Sequence, residues 1–196
     1  MNRYIASLMM GVALLATGAA NAKTTVSKFL QPGELDAALI LPPPPADGSP
    51  QSTAEMAELH ALETSRTPAR LAQAQHDAEV ENVTAIAEVL QPALNLAQRP
   101  VTAKLFADLH AEDELVATAA KSFYHRLRPW AADAALGASP ALAKCDKGAA
   151  NSSYPSGHAT MGFAAGAVLA QLMPRQAQAV LARASDYAYR RVVCGV

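Results

Sequence analysis

The sequence predicts an all-α fold, a compact helical bundle, and three observations carry that reading. From Ser52 onward Ala, Leu, Glu and Gln recur at helical spacing. Helix punctuation falls between those periodic runs, at Thr67-Pro68, Pro92, Pro129 and Pro174. No alternating apolar and polar stretch of useful length occurs, so no strand is predicted.

The elements follow in chain order. Ser52 or Thr53 caps a helix running to about Ser65, and Thr67-Pro68 supplies the N-cap and first turn of the next. A third begins near Val83 and breaks near Pro92. A long helix over 102–127 turns Leu105, Leu109, Leu115, Val116, Ala119 and Phe123 inward. Residues 131–154, with Gly137, Pro140 and Gly148, read as a loop-rich connector, and Trp130 just before it walls the site or the core. The stretch His158–Met173 is apolar nearly all round, which predicts a central, buried helix. Pro174 then opens a last helix whose Ala177, Val180, Leu181, Ala184 and Tyr187 form one apolar stripe.

Residues 1–22 read as an export signal: Arg3 gives a positive start, Ile5 to Ala16 an apolar middle, and Ala20-Asn21-Ala22 a small-residue cleavage site. The mature chain then begins at Lys23 and is expected in the periplasm. The prolines and glycines of residues 23–50 read as an extended arm lying on the domain, with a short polyproline stretch at Pro42 to Pro45. Residues 51–196 form the single helical domain. At 196 residues and 51% apolar composition, the chain is long enough for one sizeable core. Its net charge of −1 becomes −2 without Arg3, the only charged residue of the signal, and no basic run exceeds Arg190-Arg191. That balance excludes a nucleic-acid surface. The apolar middle of the signal is too short for a membrane span, so no stable insertion is expected after its removal. Cys145 and Cys194 are the only cysteines, and in an oxidising compartment an isolated pair reads as a disulfide rather than a metal site. Closing a loop of that length contributes roughly 4 kcal/mol in the chain-entropy model.

The chemistry concentrates in Tyr154-Pro155-Ser156-Gly157-His158. Pro155 disfavours helix before itself, Gly157 permits close backbone approach, and a helix starting near Ser156 would aim unpaired N–H groups and its positive dipole end where His158 points. Taken alone, the stretch reads equally as a Ser N-cap beside a surface His. Upstream, Lys121 and Arg128 stand seven residues apart, about two helical turns or roughly 10 Å along one face, which would let both bend onto one anion. Without a partner motif they read as cations beside a helix C-terminus. His125 falls on the same face and reads as a surface or partly packed ring. Arg191 adds a third cation near the end of the chain.

In these residues the chain resembles the PAP2-type phosphatases, and within them the bacterial class A non-specific acid phosphatases, which share a signature with vanadium haloperoxidases and lipid phosphatases. That signature runs K-x6-R-P, then P-S-G-H, then S-R-x5-H-x2-D. Lys121 to Pro129 fills the first part, Pro155 to His158 the second, and Arg191 the arginine of the third. The Leu-Pro-rich stretch at Leu41 to Pro45 is also typical of class A proteins. Arg190 stands where the family has Ser, and the family's last His would fall immediately after Val196, so the domain is expected to be incomplete at its C-terminus.

The resemblance implies the helical bundle of the PAP2 phosphatases and haloperoxidases, and hydrolysis of phosphate monoesters through a phosphohistidine, with no metal or other cofactor. Lys121, Arg128, Arg191, Ser156 and Gly157 would hold the phosphate, and His158 would protonate the leaving alcohol. The nucleophilic His and its Asp are missing, which leaves open whether the 196-residue chain is itself active. Small phosphate monoesters and inorganic phosphate are the expected partners, and a homo-oligomer stays open. Two other readings stand beside this one: a vanadate-binding protein of the haloperoxidase kind, and a non-catalytic helical anion-binding protein of the periplasm.

Overall fold

A computed structural model describes residues 27–31, 34, 36–145 and 148–196. The export segment expected at residues 1–22 lies outside them. The described residues form helices joined by turns, with no strand among them. In chain order these are α1 (Ala37–Ile40), α2 (Pro50–Ser65), α3 (Pro68–Glu79), α4 (Thr84–Ala87), α5 (Pro100–Tyr124), α6 (Pro129–Ala132), α7 (Ala134–Gly137), α8 (Leu142–Cys145), α9 (Gly157–Leu172) and α10 (Ala177–Val193). The predicted all-α class is the observed one.

Caps explain where the longer helices start. Thr67 accepts the Arg70 N–H through its side chain with Pro68 in the first turn, as its sequence position predicts. The preceding helix starts earlier than expected. Ser49 rather than Ser52 or Thr53 is the N-cap, accepting the Ser52 N–H, because Pro50 suits the first helical position and does not belong to the arm. The connector at 131–154 also holds more helix than expected, as the single turns α7 and α8.

The main core is built where α9 packs on α10 and α5. Met161, Ala165 and Leu169 of α9 meet Val180, Ala184 and Tyr187 of α10, with Ile86, Leu90 and Phe106 closing the cluster. Gly162 and Gly166 face Tyr187 and Ala184 so closely that a methyl at either would stand 2.8 Å from them, which brings the two helix axes together. The central place of α9 and the Val180, Ala184, Tyr187 stripe are as predicted, but Leu181 is exposed, and α9 is not buried all round, since Phe163 and Leu172 face solvent.

The long helix departs further from expectation. It turns Phe106, Glu112, Ala117 and Ala120 inward, whereas Leu105 and Phe123 face solvent. Part of its surface is taken by the arm instead of the core: buried Glu112 accepts hydrogen bonds from the Phe29 N–H at 3.0 Å and the Ser27 hydroxyl at 2.8 Å. Farther along, the Tyr124 hydroxyl donates to the Leu41 carbonyl at 2.7 Å and the Tyr154 hydroxyl to that of Pro42 at 2.9 Å. The two rings meet edge to face at 5.1 Å.

A buried ion network fastens α3 to α10. Asp77, 1% exposed, accepts both carboxylate bonds from Arg183, at 2.8 and 2.9 Å, and a further one from Arg190 at 2.9 Å. Arg190 also reaches Asp186. A smaller second cluster holds Ala74, Val193 and the disulfide Cys145–Cys194, whose Cα atoms stand 5.7 Å apart.

Candidate active site

The first motif is assembled by a helix end, not by a helix face. Lys121 lies in the last turn of α5, but His125 closes that helix with a left-handed φ of 48°, and Arg128 follows in extended conformation. The seven-residue spacing therefore does not place Lys121 and Arg128 two turns apart on one helix, as the sequence suggested. The chain turns back at His125, and the segment 126–128 runs beside 150–153, with the Arg128 N–H on the Ala150 carbonyl at 2.7 Å and the Ser153 N–H on that of Arg126 at 3.1 Å. The guanidinium is aimed by Nε on the Ala149 carbonyl at 3.1 Å and Nη2 on the Ser152 hydroxyl at 3.2 Å. Gly148 makes room for it, since a methyl there would lie 2.1 Å from Nη2.

The second motif starts α9 as its sequence predicts. Ser156 is the N-cap, with its hydroxyl accepting the Ala159 N–H at 3.3 Å, so the positive end of a sixteen-residue helix opens at Gly157 and His158. Arg191, buried at 7% exposure, comes from the last turn of α10, where a cation suits the helix's negative end. Lys121, Arg128, Ser156, Gly157, His158 and Arg191 all line one cavity of about 360 Å³. His125 is exposed and does not line it, and neither does Trp130. Cys145 and Val196 do, so the disulfide ties two parts of the wall together.

His158 is held from three sides. Its Nε2 donates to the Ala78 carbonyl at 3.2 Å, Nδ1 stands 3.2 Å from Glu81 Oε1, and the ring stacks on Tyr187 at 5.8 Å. Two acceptors match the two N–H groups of an imidazolium. Burial pushes the Glu81 carboxyl up, but the hydrogen bond and charge of His158, with His110 and Lys121 behind it, outweigh burial and hold it below its ordinary value. Nothing in the sequence pointed to Glu81. It lies in no motif, and only the packing of the α3 end over the start of α9 brings it to the site.

A smaller cavity of about 160 Å³ adjoins, sharing Glu81, Lys121 and Gly157 and adding His110 and Asp113. Burial, then the charge of Glu112, pushes the Asp113 carboxyl up to about 7, and its Oδ2 finds no hydrogen-bond partner among the described residues. The folded protein thus holds this proton more tightly than the unfolded chain, so the contribution of Asp113 to stability falls as pH rises from about 4 to about 7 and is level above. Asp113→Asn is expected to stabilise the protein above pH 7 by on the order of 2 kcal/mol and to change little below pH 4. Urea titrations at both pH values test this, and an equal effect at both would contradict it.

Residues 109–196 match the sequence profile of the PAP2 superfamily. A non-specific acid phosphatase of Providencia stuartii is 31% identical over 170 residues, covering 82% of this chain and 66% of that protein. The chain belongs to the PAP2 superfamily. An acid phosphatase of Zymomonas mobilis subsp. mobilis is similar too, at 27% identity over 204 aligned positions, 98% of this chain and 75% of that protein. The chain therefore spans about two thirds of the first PAP2 relative and three quarters of the second. The family match takes in the six predicted site residues that line the cavity, from Lys121 to Arg191, but not Glu81. Among the described residues no helix is long and apolar enough to cross a membrane.

Proposed function

We propose that the protein is an exported, periplasmic acid phosphatase that hydrolyses phosphate monoesters with broad specificity. The observation that carries this is the convergence of Lys121, Arg128 and Arg191 with the α9 N-terminus and His158 on one cavity. Three cations and a helix start neutralise a phosphate and the charge that builds on its oxygens in the transition state, which supports a route that needs no metal. His158 gives its proton to the leaving oxygen as the P–O bond breaks. In the signature a later His forms the P–N bond, and water then releases phosphate from it. Among the groups that line the cavity His158 is the proton donor and forms no P–N bond, so that step falls to the signature's later His.

The test is ligand-induced stabilisation. Phosphate, vanadate or tungstate raises the melting temperature by binding the native state, and Arg128→Ala abolishes the rise. An equal rise in the variant places the anion elsewhere and overturns the reading.

A further inference from the structure

The contacts at the two nitrogens of His158 differ in how readily they break. Ala78, which accepts from Nε2, sits in the last turn of α3 next to Asp77, and Asp77 is locked by Arg183 and Arg190. That carbonyl cannot leave without unwinding the helix end. Glu81 lies beyond the end of α3, and its side chain is 40% exposed, so it can turn away on its own bonds. Nδ1 is therefore the atom from which a proton can reach a bound ester. The carboxylate now beside it stands where the leaving-group oxygen of that ester belongs. Gly157 fits the same picture, since a methyl there would lie 2.9 Å from Glu81 Oε1 and 3.5 Å from Lys121 Nζ.

We propose that Glu81 determines specificity on the leaving-group side, selecting phosphate monoesters whose alcohol portion is cationic or hydrogen-bond donating over those carrying a second anion. The inference rests on the phosphate-ester reading above. An ester that takes Nδ1 displaces the Glu81 carboxylate, but the main chain keeps that carboxylate beside the alcohol portion. There it attracts an ammonium, accepts from a hydroxyl and repels another carboxylate, all at short range in a partly shielded cleft. Glu79 lines the same cavity and works in the same direction, whereas Lys144 favours anions. The contribution of Glu81 is accordingly read as the change on altering it, not as an absolute preference.

Phosphoethanolamine and phosphoglycolate, two-carbon monoesters of opposite terminal charge, are the probes. Their Kd values, with that of inorganic phosphate, are measured by calorimetry on the 196-residue chain, Glu81→Gln, Glu81→Lys and Arg128→Ala. The preference for phosphoethanolamine over phosphoglycolate is expected to shrink at least about tenfold in Glu81→Gln and further in Glu81→Lys. A Glu81 that only props the His158 ring would alter all three ligands together and leave the ratio alone. A ratio within about threefold of the parent in both variants, with phosphate still bound, overturns the proposal and spares the phosphatase reading. Phosphate binding that survives Arg128→Ala unchanged overturns the reading, and the proposal with it.

Discussion

A polypeptide in which Val196 is followed by His-x-x-Asp and a closing helix hydrolyses a chromogenic phosphomonoester at least ~10³-fold faster than the 196-residue chain. The cavity already gathers Lys121, Arg128, Arg191, His158 and the start of α9. On the function proposed above, those groups neutralise charge and supply a proton, and the signature's later His makes the covalent bond to phosphorus. Val196 lines the same cavity, so residues joined to it in the longer polypeptide start at the cavity wall. Both polypeptides are assayed at about pH 6, with His158→Ala in each, because an imidazolium acid works best on the acidic side of neutrality. Equal rates, or a folded but inactive extended chain, would falsify the phosphohistidine assignment.

Asp77→Ala destabilises the protein by about 3–5 kcal/mol and lowers its melting temperature by roughly 10 °C or more. The carboxylate is buried between Arg183 and Arg190, whose side chains are 6% and 12% exposed, so its removal leaves two shielded guanidinium groups without their shared partner, Arg183 keeping Glu88 and Asp186 and Arg190 keeping Asp186. Replacing Arg190 together with Asp77 removes one of those under-compensated charges, and the double variant is expected to lose less than the sum of the singles. Chemical denaturation checks both, and a loss below about 1 kcal/mol in the single variant would show that the network is not a structural clamp. The same clamp accounts for Arg190 where the family signature has Ser. Arg190 holds α10 against α3, and the next residue, Arg191, is thereby set toward the cavity.

Much of this fold was legible because helix boundaries are written in local chemistry. Thr67 with Pro68, and Ser156, act over a few residues and cap the helices they precede, whereas the apolar run of α9 buries one side and leaves Phe163 and Leu172 exposed. The inward face of α5 was not legible, since Glu112 is buried by a distant arm and Leu105 is exposed, and neither outcome is encoded in the period of the helix itself. At the site, Lys121 and Arg128 were identified for a geometric reason that proved wrong: a left-handed residue, not helical repeat, brings them together. Glu81 escaped altogether, because its place depends on α3 ending over α9, a tertiary fact with no sequence spacing attached.

The arm's proline stretch bears on how the two motifs keep their distance. Prolines have no N–H to give, so successive carbonyls along such a segment are left as bare acceptors. Leu41 and Pro42 offer two of these in a row, and the hydroxyls that take them belong to Tyr124, three residues after Lys121, and Tyr154, two before Ser156. The segment thus works as a gauge block, a rigid spacer against which two otherwise independent stretches of chain are measured. The fixed step between these two neighbouring carbonyls sets the span between the helix that carries the lysine and the turn that leads into the histidine's helix, so a residue inserted between Leu41 and Pro42 would disturb the width of the cleft without touching any group inside.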